Sequence, residues 1–242
     1  AIVGSSTPED LAFARIAWRY FQNNTDPKTV LVNSTDKYPS TTMWETGSYF
    51  VAVISADRLG VIDTKEAVDR IGLALDTLNT IRLFDGILPN KAYNVRTVEL
   101  VNYANKPVER GLGWSALDIA RLVAALGHVR SNYPELAQKV ARLTDRWELS
   151  SMIEDGQLIG GNIVDGKLRR DQEGRVGYEQ YASKAMMLFG YDTYRAYNAE
   201  ANIDDNTCQF SGCTDSGACN FEVSASSDDG SCEYTSCAGC AI

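Results

Sequence analysis

Residues 42–60 read TMWETGSYFVAVISADRLG, and this stretch decides the fold class. Thr42 followed three residues later by Glu45 is a capping box. The hydroxyl accepts from an amide of the first turn, and the acid returns to the N–H of the cap residue. Gly60 stops the helix near Leu59, because glycine enters the left-handed conformation that ends helices. Between these signals the apolar residues from Tyr49 to Ile54 wrap nearly all round the helix instead of forming one stripe. Such a helix is buried on most sides, and the rest of the chain must supply what buries it.

The same signature recurs outward in both directions. Thr7-Pro8-Glu9-Asp10 opens a helix to about Asn23, with Pro8 at the favoured first position. Asp63-Thr64-Lys65-Glu66 opens one to about Asn79, and Ser115-Ala116-Leu117-Asp118 one to about His128. Pro134 begins a fifth near Glu135–Trp147, and Gly177 precedes a sixth, Tyr178–Phe189. Leu117, Ile119, Leu122, Val123 and Leu126 wrap the fourth helix as the second is wrapped, whereas the first, third and fifth carry a single stripe. Inner helices alternating with outer ones build an α/α toroid. The expectation is an all-α domain over residues 1–202, a helical-hairpin (α/α) toroid or partial toroid with two short β-hairpins. The helices bearing Tyr49–Ile54 and Leu117–Leu126 form its inner wall. The hairpins belong to the long connections 82–113 and 150–175, where Asp165-Gly166 is a tight-turn signal.

Composition narrows the function. The chain has 242 residues, 44% hydrophobic and 23% charged, an ordinary globular balance. No window approaches the roughly 18 uninterrupted apolar residues of a membrane span. A net charge of −9 argues against nucleic acid as a partner. His128 is the single histidine, which rules out a multi-His metal site and leaves carboxylates as the candidates for chemistry.

All six cysteines, Cys208, Cys213, Cys219, Cys232, Cys237 and Cys240, lie in the last stretch. Residues 203–242 also carry seven acids and no Lys or Arg, so they hold −7 of the −9. A segment so poor in apolar residues needs disulfides, or a metal, to hold it, and residues 203–242 read as a small disulfide-rich C-terminal module. Disulfides imply an oxidising, extracytoplasmic compartment. Zinc at Cys237-Ala-Gly-Cys240 is the competing reading. The module repeats itself: Asp204-Asp205-Asn206-Thr207-Cys208 recurs as Asp228-Asp229-Gly230-Ser231-Cys232, and Cys213 recurs as Cys237. Asp204, Asp205, Asp228 and Asp229 are oxygen ligands of the kind Ca²⁺ uses, or else a solvated acidic surface. The body needs no cofactor. The N-terminus, Ala1-Ile2-Val3-Gly4, looks like that of a mature chain whose signal peptide has been removed.

Five blocks carry a resemblance: YPSTTMWETGSY (38–49), LFDG (83–86), LPNKAYN (88–94), GWSALD (113–118) and QEGRVGYEQYA (172–182). In this order, over roughly residues 8–191, they resemble a bacterial family catalogued as domain of unknown function 3131. Its pattern is similar to that of α/α-toroid glycoside hydrolases, and six helices would make half of a twelve-helix toroid. The tail resembles the short cysteine-rich repeats (GCTDxxACNY…DDGSC) of secreted and surface proteins of aquatic bacteria, where the module looks like a spacer, attachment or sorting element.

Glycosidases flank the scissile bond with two carboxylates and use aromatic rings as sugar platforms. The catalytic candidates are Glu45, Asp85, Asp118 and Glu173, and the binding candidates are Trp44, Lys91, Tyr93, Trp114, Arg175 and Tyr178. The four acids and the aromatic residues Trp44, Trp114 and Tyr93 are expected on one concave face. Each acid also has a structural explanation. Glu45 and Asp118 hold capping-box positions, Asp118 precedes Arg121 by three residues, and Asp85 precedes a turn glycine. Two functions follow. One is a secreted or surface domain acting on or binding a glycan. The other is a self-assembling surface or filament protein whose tail links subunits by disulfide or calcium contacts.

In the repeat, Cys208 and Cys213 have the setting of Cys232 and Cys237, so each copy is expected to pair equivalently. Cys219 and Cys240 then pair with one another or with another subunit. All six thiols are expected to be oxidised. Mass spectrometry of the alkylated, unreduced protein checks this, and free thiols at more than one position would sink the disulfide framework.

Overall fold

The computed structural model describes residues 6–173, 178–194, 211–219, 227–228 and 230–234. It divides into two compact units, Ala1–Tyr197 and Asn198–Ile242.

The first unit holds the helices α1 (Pro8–Asn24), α2 (Met43–Arg58), α3 (Thr64–Leu78), α4 (Ala116–Asn132), α5 (Ala137–Arg146) and α6 (Tyr178–Leu188). The four capped starts lie where the sequence places them. Thr7, Thr42, Asp63 and Ser115 are the N-caps of α1 to α4, each with its side chain accepting a first-turn amide. The fifth helix differs from expectation. No side chain caps it, and a 3₁₀ turn at Pro134–Leu136 precedes α5. The fourth helix runs past its expected end near His128, on to Asn132.

The helices form two rows. In one, α2 packs on α4 and α4 on α6; in the other, α1 and α3 lie against α2, and α5 against α3 and α4. Burial follows the rows. Tyr49, Phe50 and Val53 of α2 and Leu122, Val123 and Leu126 of α4 are fully enclosed, while α1 buries only Trp18 and Asn24. The two inner backbones come close at Gly47, where a Cβ would stand 3.1 Å from the Cα and N of Leu122.

The connections carry short antiparallel pairs. They are β1 (Ser40–Thr41) with β4 (Tyr93–Asn94), and β2 (Leu83–Phe84) with β3 (Leu88–Pro89). The second connection is larger than the expected hairpin, a three-stranded sheet of β5 (Ile153–Glu154), β6 (Gln157–Val164) and β7 (Lys167–Gln172) in that order. Both of its turns are two-residue Asp-Gly pairs with positive φ throughout, Asp155-Gly156 at 50° and 72° and Asp165-Gly166 at 50° and 75°. These are the angles a tight hairpin needs. Residues 112–114 run along the sheet as well: Trp114 and Gly161 exchange both backbone hydrogen bonds, at 3.1 and 3.0 Å.

In the second unit β8 (Ser211–Gly212) and β9 (Ser227–Asp228) pair in parallel. Cys213 and Cys232 form a disulfide, and Cys219 is also disulfide-bonded. The Cys213–Cys232 bond joins the second cysteine of one copy to the first of the next, so the copies do not pair within themselves. This corrects the expectation of equivalent pairings. Asp215 organises the turn between them. It accepts from Gly217 N–H at 2.8 Å and from the Tyr234 hydroxyl at 2.7 Å, and both bonds hold its carboxyl below its ordinary range. Cys208, Cys237 and Cys240 lie outside the described residues, as do Asp204, Asp205, Asp229 and the side chain of Asp228. Among the described residues no group of His, Cys, Asp or Glu could hold a metal ion, and no helix is long and apolar enough to cross a membrane.

Replacing Gly47 by alanine sets two effects against each other. Helix propensity gains about 1 kcal/mol, while overpacking against a backbone that cannot rotate away costs about 1–3 kcal/mol. A net loss near 1 kcal/mol is expected for Gly47→Ala and a larger one for Gly47→Val. Both should read as a lower denaturant midpoint at unchanged slope; a midpoint that rises would show that the α2–α4 gap yields.

Candidate functional site

The N-termini of the inner helices α2, α4 and α6 each carry acids, and the local structure sets what each acid does. At α2 the capping box is complete: the Thr42 hydroxyl accepts from Trp44 N–H at 3.0 Å, and Thr42 N–H donates to Glu45 Oε2 at 2.9 Å. At α4 it is only half made. The Ser115 hydroxyl accepts from Asp118 N–H at 3.1 Å, but the reciprocal bond found at α1 and α2 is missing. A separate donor at this helix start, Ala116 N–H, donates to Glu173 Oε2 at 2.5 Å.

Glu173 reaches that amide from the end of β7. Its N–H donates to Leu158 O at 2.8 Å, which carries the β6–β7 ladder one residue past Gln172. Its side chain then crosses over Gly160, where a Cβ would stand 2.6 Å from the carboxylate oxygen. At Gly161 a Cβ would fall 2.6 Å from the Trp114 ring. The Gly160-Gly161 pair therefore clears room for the carboxylate and the indole on the same strand.

Asp118 makes no return bond to the cap and is half-buried between these groups. Burial, and then the negative charges of Glu45 and Glu173, push its carboxyl up to about 6, against the pull of the Thr42 and Ser115 hydroxyls. It therefore holds its proton two units higher than a free aspartate. Glu179, in the first turn of α6, is also raised by burial, and both of its oxygens accept from Gln172 Nε2, at 2.9 and 3.0 Å. Partial enclosure of the hydroxyl end, and then the charges of Asp118 and Glu173, raise the Tyr103 hydroxyl, although the side chain as a whole is exposed.

The other candidates are engaged differently. Asp85 sits in a turn and pairs with an arginine. It adopts a left-handed φ of 47° ahead of Gly86, and its two oxygens accept from Arg110 Nε and Nη2 at 3.0 and 2.8 Å, which holds its carboxyl low. Two aromatic residues are corrected from platform to core. Trp114 is 1% exposed, with its indole N–H on Ile159 O, and Tyr93 is 0% exposed, with its hydroxyl between Asn90 N–H and Arg82 O. Neither offers a ring face to a ligand. Trp44 is half-buried under the guanidinium of Arg121, 4.2 Å from its ring centroid. Arg121 also donates to Ser48 Oγ, so it turns onto α2 instead of pairing with Asp118. Lys91 donates to Asn162 Oδ1 at 2.5 Å. Arg175 and the side chain of Tyr178 lie outside the described residues.

Thr42 and Tyr103 were missed as site residues. Thr42 was legible only as a cap, and nothing in Asn102-Tyr103-Ala104-Asn105 marks the tyrosine. A cleft of about 580 Å³ beside α3 also carries acids, but they are spent: Asp63 on its cap, Glu66 on Arg70, and Asp26 on the amides of Lys28 and Thr29.

A folded-state pKa raised above 3.8 gives a stabilisation that is complete below that value and is lost as pH rises through about 6. Above pH 6 the fold carries a buried charge, at a cost of about 3 kcal/mol. Asp118→Asn removes the charge. The variant should match the wild type near pH 4 and melt higher than it at pH 8; equal melting temperatures at both pH values would refute the burial of this carboxyl.

Two solved structures share the fold. One is a β-1,2-glucanase from Parabacteroides distasonis, with a TM-score of 0.52 and 17% identity over 69% of this chain and 25% of that one. The other is an endo-β-1,2-glucanase from Chitinophaga pinensis, in complex with sophorotriose and glucose, with a TM-score of 0.50 and 12% identity over 64% of this chain and 40% of that one. The chain thus spans a quarter to two fifths of their lengths. No curated protein matches the sequence. A family model described as protein of unknown function (DUF3131) matches residues 12–215, most of the chain, and the protein therefore belongs to that family.

Proposed function

We propose that this domain acts on a glycan outside the cytoplasm, as a glycoside-hydrolase-like enzyme in which Asp118 is the general acid. One observation carries the reading: a half-buried carboxyl that keeps its proton near pH 6 between two negatively charged carboxylates. Glycosidic cleavage asks for this pairing, a protonated acid for the leaving oxygen and an ionised carboxylate for water or the anomeric carbon. Glu45 and Glu173 are the candidates for the second role. Each reaches the site from a separate element, so neither depends on the other for position. The fold shared with two glucan-degrading enzymes supports a glucan as the first substrate class.

The disulfide in the tail supports an extracytoplasmic setting. The alternative is self-assembly through the tail, in which Cys213 and Cys232 take no part because their bond closes within one chain.

The test is reducing-sugar release from linear glucans of defined linkage, β-1,2-linked glucan first. Asp118→Asn should lower turnover by about 100-fold, the typical contribution of a positioned acid. Wild-type activity should fall as pH rises above about 6, because Asp118 must be protonated. Removing one negative neighbour lowers the Asp118 pKa, so Glu45→Gln and Glu173→Gln should move the surviving activity's alkaline limb to lower pH. No release from any glucan would overturn the reading.

A further inference from the structure

The turn at residues 102–106 is bound on all sides by hydrogen bonds, yet it presents an aromatic ring to solvent. Asn102 accepts at its side chain from the amides of Ala104 and Lys106, both at 3.0 Å. Its own N–H donates to Lys106 O at 2.9 Å, and Asn105 N–H returns to Asn102 O at 2.8 Å. Two bonds tie this turn to the entry of α2. The Tyr38 hydroxyl donates to Tyr103 O at 2.7 Å, and Asn94 Nδ2 donates to Asn105 Oδ1 at 3.2 Å. Asn94 pairs with Ser40 in the β1–β4 ladder, two residues before the Thr42 cap. The turn is thereby fixed beside the helix start that carries Glu45. Tyr103 itself is 68% exposed. Its ring contributes little to the core, and the turn's hydrogen bonds hold it where it is. The charges that reach its hydroxyl are those of Asp118 and Glu173.

We propose that Tyr103 is the sugar-contacting platform of this site and that the glycan it takes is uncharged. The inference rests on the glycan-acting reading above. A rigidly held, exposed tyrosine offers a flat apolar face for the C–H face of a pyranose and a hydroxyl for its ring substituents. Pre-ordering the turn removes an entropy cost that binding would otherwise carry. The substrate class follows from charge. Glu45 and Glu173, each fixed at a helix start by the N–H of Thr42 or Ala116, both bear on Asp118, and all three are acids, while the cation of the turn itself, Lys106, is turned to solvent. A uronate would add a further negative charge to this group, and like charges placed together repel.

The experiment is calorimetric titration of the 242-residue Asp118→Asn protein, whose turnover is about 100-fold slower, with short neutral β-linked gluco-oligosaccharides and with oligouronates of matched length. At least one neutral oligosaccharide should bind, and uronates should bind about tenfold more weakly or not at all. Adding Tyr103→Ala should weaken neutral binding by about tenfold, whereas Tyr103→Trp, which keeps a ring, should stay within about threefold. Melting temperatures should not move, because the ring is exposed. Equal affinity with and without the Tyr103 ring would overturn the platform and leave the glycan-acting reading standing. Preferred binding of uronates would overturn the substrate class alone. If no sugar binds and none is cleaved by the wild type, the glycan-acting reading falls and takes this inference with it.

Discussion

The hydrogen bond from Ala116 N–H to the Glu173 carboxylate governs the chemistry of the inner helix row. A helix start leaves its first amides without partners, and in most helices nearby residues of the same segment satisfy them. At α4 the partner comes from a β-strand 57 residues further along the chain. The bond fastens the three-stranded sheet to α4, and it brings a negative charge to a helix N-terminus, where the backbone dipole favours one. It also sets a second carboxylate beside Asp118. Asp118 makes no return bond to the cap, and with Glu45 and Glu173 both acting on it, this partly buried carboxyl holds its proton more firmly.

A cluster of three like charges is costly unless something offsets it. Here the offset is mostly local. Glu45 accepts from Thr42 N–H and Glu173 from Ala116 N–H, so the two ionised members are each fixed at a helix start. Asp118 faces the hydroxyls of Thr42 and Ser115. The nearest cation in sequence, Arg121, is taken up by Trp44 and Ser48. An arginine on Asp118 would favour its ionised form and abolish the difference between the acids.

The legible part of this structure was local. Caps at Thr7, Thr42, Asp63 and Ser115 were readable because the residues that make them are neighbours in sequence, and Asp165-Gly166 was readable because its turn needs only itself. The burial of α2 and α4 followed from apolar residues on every face. What escaped was set by distant contacts. Trp114 and Tyr93 looked like platforms because nothing in their own segments shows that β6 covers one and that a backbone carbonyl at residue 82 holds the other. Asp118 looked like a cap because Glu173, one of the charges that bear on it, comes from far along the chain. Tyr103 gave no signal, since its value lies in where a polar turn holds it. The Cys213–Cys232 bond escaped for a related reason: a repeat in sequence shows equivalent surroundings, not which copy supplies the partner.

The disulfide also separates the two units by the variable each responds to. Residues 1–207 contain no cysteine, so the helical unit folds with the same contacts whether its surroundings are oxidising or reducing. The tail is different. Its Cys213–Cys232 bond spans 19 residues, and a crosslink of that reach removes about 3 kcal/mol of freedom from the unfolded chain, more than so small an apolar content can replace. A thiol reductant therefore acts on the cysteines of the tail, whereas raising the pH loads its cost on the helical unit, through Asp118. One polypeptide thus carries a redox-dependent segment and a proton-dependent one.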